Sequence, residues 1–182
     1  MRCFVAVKMP IEFSRRISDL SKEFKGLVHL RPVKAENMHI TLLFLGEQNE
    51  AVVKDIKKAM DRIRLSPFEI LFDEVGFFGS RNFPKVIFLK GYSEYLLKIQ
   101  QDMKNEFERV GFNFDKKPFR IHLTLLRVKK LYDKDAFIYK INSINKLFKR
   151  EEVKFDTIHL IKSTLTPEGP EYETIYNKKA YF

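Results

Sequence analysis

Two short strings in this chain can do chemistry together: His39-Ile40-Thr41-Leu42 and His122-Leu123-Thr124-Leu125. The sequence has four histidines, and two of them head the same pattern. Each string sits in an apolar stretch that reads as a strand, where side chains alternate between faces. His39 and Thr41 therefore share one face, with Met38, Ile40, Leu42 and Phe44 on the other. His122 and Thr124 share a face in the same way, backed by Ile121, Leu123 and Leu125. Two strands that each show an imidazole beside a hydroxyl read as two halves of one site. Histidine titrates near neutral pH, so one ring can be neutral while the other is protonated. Such a pair can take a proton from an attacking water and give one to a leaving oxygen. The Thr41 and Thr124 hydroxyls can donate hydrogen bonds to non-bridging phosphate oxygens. Arg127, three residues after Thr124, can hold developing negative charge. Strict alternation puts Arg127 on the face opposite His122, so it reaches the site only if the strand ends or bulges first.

A metal centre is the main rival, because histidine is a common ligand. No Cys, Asp or Glu lies within two residues of either motif histidine, so a third ligand would have to come from elsewhere. We therefore expect neither a metal nor any other cofactor. His29, in an expected loop, and His159, in an expected strand, carry no motif and read as structural. Phe4, Phe44, Phe77, Phe78 and Phe119 are candidates to stack on bases. Arg31, Lys34, Arg81, Lys117 and Arg120 are candidates to steer a nucleic-acid backbone. Residue type alone does not choose among them.

The elements that must position these residues follow from periodicity. Strands are expected over 4–7, 38–45, 68–77, with Gly76 and Gly79 as breakers, 86–89, 120–128, 152–164 and 171–181. Helices are expected over 11–26, 50–64, 93–110, with Ser93 as its cap, and 134–148. The order helix, histidine strand, helix, two strands occurs twice, a repeat of about 80 residues and too long for a solenoid. The first strand must then pair across the halves. The expected fold is α+β: one domain over 1–182 with two lobes, approximately 1–90 and 91–182, and antiparallel sheets. If the repeat reflects a pseudo-two-fold axis, the histidine strands face each other across a central cleft.

The formal net charge is +10, which favours a polyanionic partner such as nucleic acid. The single cysteine, Cys3, excludes an internal disulfide, reads as a core residue and fits a reducing, cytoplasmic setting. No apolar run approaches the ~18 residues of a membrane span, and the N-terminus does not read as a signal peptide.

The paired motifs resemble those of the 2H phosphoesterases, and within them the RNA 2′,3′-cyclic phosphodiesterases, also called 2′-5′ RNA ligases. The resemblance runs nearly end to end. It includes Arg2-Cys3-Phe4-Val5-Ala6-Val7, Asn37 to Glu47, Gly76-Phe77-Phe78-Gly79, the second motif with Arg127, Ser163-Thr164-Leu165 and Gly169-Pro170-Glu171-Tyr172. One departure is Ile121, where members of the family often have proline. The resemblance implies a bilobal, duplicated, LigT-like fold, with two antiparallel sheets flanking the cleft and helices outside. It implies metal-free hydrolysis of RNA 2′,3′-cyclic phosphate ends to 2′-phosphomonoesters, with His39 as proton donor and His122 as acceptor. Thr41, Thr124 and Arg127 would hold the phosphate. RNA ends, tRNA-derived ones among them, would be the partners of a monomeric enzyme that uses no membrane, and 2′-5′ ligation would be a side activity. Two other readings stay open from the residues: a non-catalytic RNA-binding protein, and a phosphodiesterase of a small cyclic nucleotide.

Overall fold

The first strand, β1 (Arg2–Lys8), is apolar at five consecutive positions, Cys3 to Val7, and all five are buried. A strand without a polar face must lie inside a sheet and be covered on both sides. In the computed structural model, which describes residues 1–181, β1 does so. It pairs antiparallel with β3 (His39–Glu47) on one side and β8 (Thr157–Thr166) on the other, and β9 (Gly169–Lys179) completes a sheet of order β3-β1-β8-β9. Cys3, Val5 and Val7 enter the main core, whereas Phe4 and Ala6 form a small separate cluster with Ile161 and Tyr172. The Cys3 thiol is buried, and burial pushes its pKa up.

The second sheet has the order β2-β6-β5-β4-β7 and is also antiparallel throughout. Its strands are β2 (Val28–Pro32), β4 (Phe68–Gly79), β5 (Pro84–Tyr92), β6 (His122–Leu131) and β7 (Glu151–Phe155). Four α-helices among the described residues complete an α+β fold: α1 (Ile11–Ser18), α2 (Glu50–Asp61), α3 (Glu94–Arg109) and α4 (Lys134–Leu147). Three helices start on a side chain that accepts a backbone N–H three residues on. The caps are Asn49 for α2, Ser93 for α3 and Asp133 for α4. The chain crosses between the sheets four times, at β1–β2, β2–β3, β3–β4 and β7–β8. β4 and β5 follow α2 but join the second sheet, and β8 and β9 return to the first, so each sheet draws strands from both halves of the sequence.

Four details differ from the sequence expectations. The helix expected over 11–26 is α-helical only to Ser18, after which Asp19–Phe24 tightens into a 3₁₀ turn. The Ser18 and Ser21 hydroxyls donate to the carbonyls of Arg15 and Ser18, a local alternative to regular helical bonding. The stretch around His29, expected as a loop, is the edge strand β2. It is held by pairing with β6 and ends at Pro32, which an edge tolerates. The single strand expected over 152–164 is two strands parted at Asp156, because β7 pairs with β4 in one sheet and β8 with β1 in the other. Gly76 does not break β4. It lies within the strand opposite Phe88, where a Cβ would stand 3.1 Å from the Phe88 ring.

Candidate active site

β3 and β6 begin at their histidines and carry the same irregularity. In β3 the ladder to β1 runs Ala6↔Thr41 and then Val5↔Leu43, so Leu42 is an extra residue. In β6 the ladder to β5 runs Phe88↔Thr124 and then Ile87↔Leu126, so Leu125 is extra. Each is a β-bulge, and both leucines of each doublet are buried. A bulge shifts the two-residue alternation by one. Beyond it, Phe44 and Arg127 come out on the same face as the histidine and threonine of their own strand, and both are exposed. The condition set by strict alternation for Arg127 is therefore met by geometry. Val86 on β5 and Arg31 on β2 are its ladder partners.

The two imidazoles are anchored alike. His39 Nδ1 lies 2.7 Å from the carbonyl oxygen of Asn37, and His122 Nδ1 lies 2.8 Å from that of Arg120. A carbonyl only accepts, so Nδ1 carries the hydrogen in both rings and Nε2 is the nitrogen without a backbone tie. Each ring also packs against a pair of touching aromatics. Phe4 and Tyr172 lie against His39 at centroid distances of 4.9 and 5.2 Å, and Phe78 and Phe88 lie against His122 at 4.9 and 5.6 Å. The strands beside the motifs match as well, with Lys8 opposite His39 and Lys90 opposite His122.

The halves differ where it matters for protonation. His39 Nε2 is 3.1 Å from the Thr41 hydroxyl, whereas Nε2 of His122 has no protein hydrogen-bond partner among the described residues. Burial holds the His39 pKa below the usual 6.5, and the charges of His122 and Lys8 push the same way, against the pull of the Asn37 carbonyl. The charge of His122 therefore reaches His39 from the other sheet. Thr41 and His122 line one cleft of ≈ 810 Å³, with Lys104, Lys116, Lys117 and Arg120 on its rim. His39, Thr124 and Arg127 do not line this cleft: His39 is half-buried beside Thr41, Thr124 is half-buried beside Phe88, and Arg127 is exposed further along β6. Burial pushes the Tyr172 phenol pKa up, and the charges of Arg127, from the other sheet, and Arg2 pull it down.

Of the aromatic candidates, Phe4, Phe44 and Phe78 belong to the site, and Phe119 lies beside it. Phe77 turns its ring to Phe137 of α4. Residues that sequence reasoning does not single out for the site are Lys8, Lys90, Phe88 and Tyr172. The leucine doublet after each threonine, which breaks the two-residue period at the same place in both copies, is the one readable sign of the bulges. His159 shares its sheet with His39 and contacts Asn177 Oδ1 at 2.7 Å, and burial lowers its pKa. Among the described residues no three His, Cys, Asp or Glu side chains converge as a metal-binding group, and no helix is long and apolar enough to cross a membrane.

The chain is similar to several known proteins over nearly its whole length. An Archaeoglobus fulgidus protein named RNA 2′,3′-cyclic phosphodiesterase is 34% identical over 96% of this chain and 98% of its own length. A Thermotoga maritima protein of the same name is 34% identical over 97% of this chain and 94% of its own. The crystal structure of TT0787 of Thermus thermophilus superposes with a TM-score of 0.82, at 26% identity, covering 98% of this chain and 97% of that one. The crystal structure of Escherichia coli LigT complexed with 3′-AMP has the same fold, with a TM-score of 0.78 at 22% identity over 98% and 97% of the two chains. The family model described as LigT like Phosphoesterase matches twice in succession, at residues 7–88 and 89–172. With nearly the whole chain matched, and with the two bulged histidine strands facing one cleft, the chain belongs to the LigT-like phosphoesterases.

Proposed function

We propose that this protein is an RNA 2′,3′-cyclic phosphodiesterase that opens the cyclic ester by two-histidine acid–base catalysis without a metal. The observation that carries this reading is the matched pair of imidazoles. Each has Nδ1–H tied to a backbone carbonyl and Nε2 left without a backbone tie, and the charge of His122 reaches His39 from the other sheet. The names of the relatives at 34% identity agree with it. His122 Nε2 takes a proton from water, and the water oxygen bonds to phosphorus. The P–O3′ bond breaks, and His39 Nε2 gives its proton to O3′. The product is a 2′-phosphomonoester, and proton exchange with solvent resets both rings. Thr41 and Thr124 donate to the non-bridging oxygens, and Arg127 holds the charge that grows on them. A 5′-hydroxyl RNA end in place of water would give a 2′-5′ link at the same site, as a side activity. The direct test is an RNA ending in a 2′,3′-cyclic phosphate, incubated with chelator present. Conversion to the 2′-phosphomonoester is the expected result. Binding without turnover would leave only an RNA-binding module. KM should rise steeply with salt, since several phosphate contacts release counterions. A KM flat with salt would favour a small cyclic nucleotide as substrate.

The depressed pKa of His39 makes a second prediction. A proton donor must be protonated, yet burial, His122 and Lys8 all favour neutral His39 in the free protein. The anionic phosphate, once bound beside it, opposes that effect and raises the pKa. In the free enzyme the basic limb of kcat/KM should therefore fall below 6.5, and the basic limb of kcat should lie at higher pH. Limbs at one pH, or a limb that moves down on saturation, would remove His39 from the donor role.

A further inference from the structure

A second cavity, of ≈ 450 Å³, opens on the far flank of His122. The site as described does not use it. Its wall includes Phe78 and Phe88, the two rings that pack against His122, together with Lys90, which faces His122 in the ladder. Phe78 and Phe88 stack on each other at 4.3 Å, and Phe88 lies against the bare backbone of Gly76, so this wall is flat and fixed. Two more aromatics, Tyr92 and Phe119, line the cavity and stack on no other ring among the described residues. Tyr92 is 55% exposed, and its hydroxyl donates to Glu94 Oε1 at 2.9 Å, which tethers the ring at the mouth. An exposed, tethered aromatic face without a partner is a stacking platform. The Lys90–Glu74 ion pair, 3.2 Å across and open to solvent, puts a donor and an acceptor on the same rim.

The larger cleft has a different character. It shares Phe78, Phe119 and Arg120 with this cavity, but its rim adds Lys104, Lys116 and Lys117. A basic, open cleft suits a run of backbone phosphates, whereas a small aromatic cavity with one ion pair suits a single planar heterocycle. The two meet at Phe78, Phe119 and Arg120, and the Phe78 ring packs against His122. An RNA whose 3′ end is a cyclic phosphate continues only in the 5′ direction from its last nucleoside. The space on either side of the phosphate must therefore be divided between that nucleoside's base and the rest of the chain.

We propose that the aromatic cavity bounded by Tyr92, Phe119 and the Glu74–Lys90 pair holds the 3′-terminal nucleobase, while the basic cleft carries the 5′ chain. This rests on the cyclic phosphodiesterase reading above and names the nucleoside subsite of the same centre. Stacking fixes the terminal ribose, and with it O3′, against the two imidazoles. The ring-edge groups of the base meet a carboxylate and an ammonium.

The test uses the full chain, with 2′,3′-cyclic AMP and the baseless analogue 1-O-methylribose 2,3-cyclic phosphate as substrates. Tyr92→Ala should raise KM for 2′,3′-cyclic AMP about 5- to 100-fold, the range for losing one base–aromatic stack, with kcat nearly unchanged. Tyr92→Phe, which keeps the ring and loses only the tether to Glu94, should raise KM far less than Tyr92→Ala. On the baseless analogue, wild type and Tyr92→Ala should be equal. An unchanged KM for 2′,3′-cyclic AMP, or an equal loss on both substrates, overturns the subsite. A loss seen only with a dinucleotide bearing the cyclic end puts the penultimate base in the cavity and also overturns it. If wild type turns over neither small substrate nor a cyclic-ended RNA, the underlying activity fails, a result distinct from turnover that ignores the base.

Discussion

Replacing either His39 or His122 with alanine should lower kcat by ~10²–10⁴, the range for removing one general acid or base. The two losses should not add. Once one proton transfer is gone, the other ring has no matched partner, and the double variant should fall little below the worse single one. The packing around each ring makes the experiment readable. Phe4 and Tyr172 beside His39 also contact each other at 5.3 Å, and Phe78 and Phe88 beside His122 stack at 4.3 Å. The aromatic frame therefore survives removal of the imidazole, and thermal unfolding should shift only slightly. The choice of alanine also keeps the Asn37 and Arg120 carbonyls in reach of water, so no buried acceptor is orphaned. A single variant that stays folded and works at near the wild-type rate would end the two-histidine mechanism. A large loss at one ring only would mean that water or substrate does the other's work. The double variant separates these outcomes from simple damage to the fold, because damage adds and a shared mechanism does not.

How far the sequence leads is clearest at these two strands. The motif pair, the shared face of histidine and threonine, and the helices on either side are legible because period and punctuation are local properties. The bulges leave only the doublets Leu42-Leu43 and Leu125-Leu126 as a sign, and pairing with β1 and β5 is what shows that one leucine of each is extra. The supporting residues are hidden for a different reason. Lys8, Lys90, Phe88 and Tyr172 reach the site from neighbouring strands, and register between strands far apart in sequence is set by tertiary packing. With 18 phenylalanines in the chain, residue type cannot tell the few near the histidines from those in the core. The strand β2 escapes a sequence reading because a short segment ending in proline carries little pattern of its own; the long edge of β6 gives it a partner. The part of the fold encoded by local pattern is legible, and the part decided by which strand meets which is not.

Arg127 is where that hidden geometry has its largest consequence. Read with strict alternation it would face away from His122 and do nothing for the phosphate. The bulge at Leu125 returns it to the face of His122 and Thr124, where its charge reaches Tyr172 in the other sheet. Arg127→Met should lower kcat by ~10²–10³, the cost of removing one donor aimed at developing negative charge. KM should change less, because the guanidinium holds the transition state more strongly than the ground state. Arg127→Lys should restore part of the rate, since it returns the charge without the planar fork. Because Arg127 is exposed, the melting temperature should hold in both variants. A second readout is independent of turnover. Arg127 lowers the Tyr172 phenol pKa, so the methionine variant should titrate Tyr172 at higher pH. The signal can be assigned as the ultraviolet difference from a Tyr172→Phe background. If the phenol titration moves but kcat does not, Arg127 reaches the other sheet without serving the reaction. If neither moves, the bulge does not bring its charge to the site at all. If both move together, a residue that a period-two reading turns away from the chemistry is brought to it by one extra leucine.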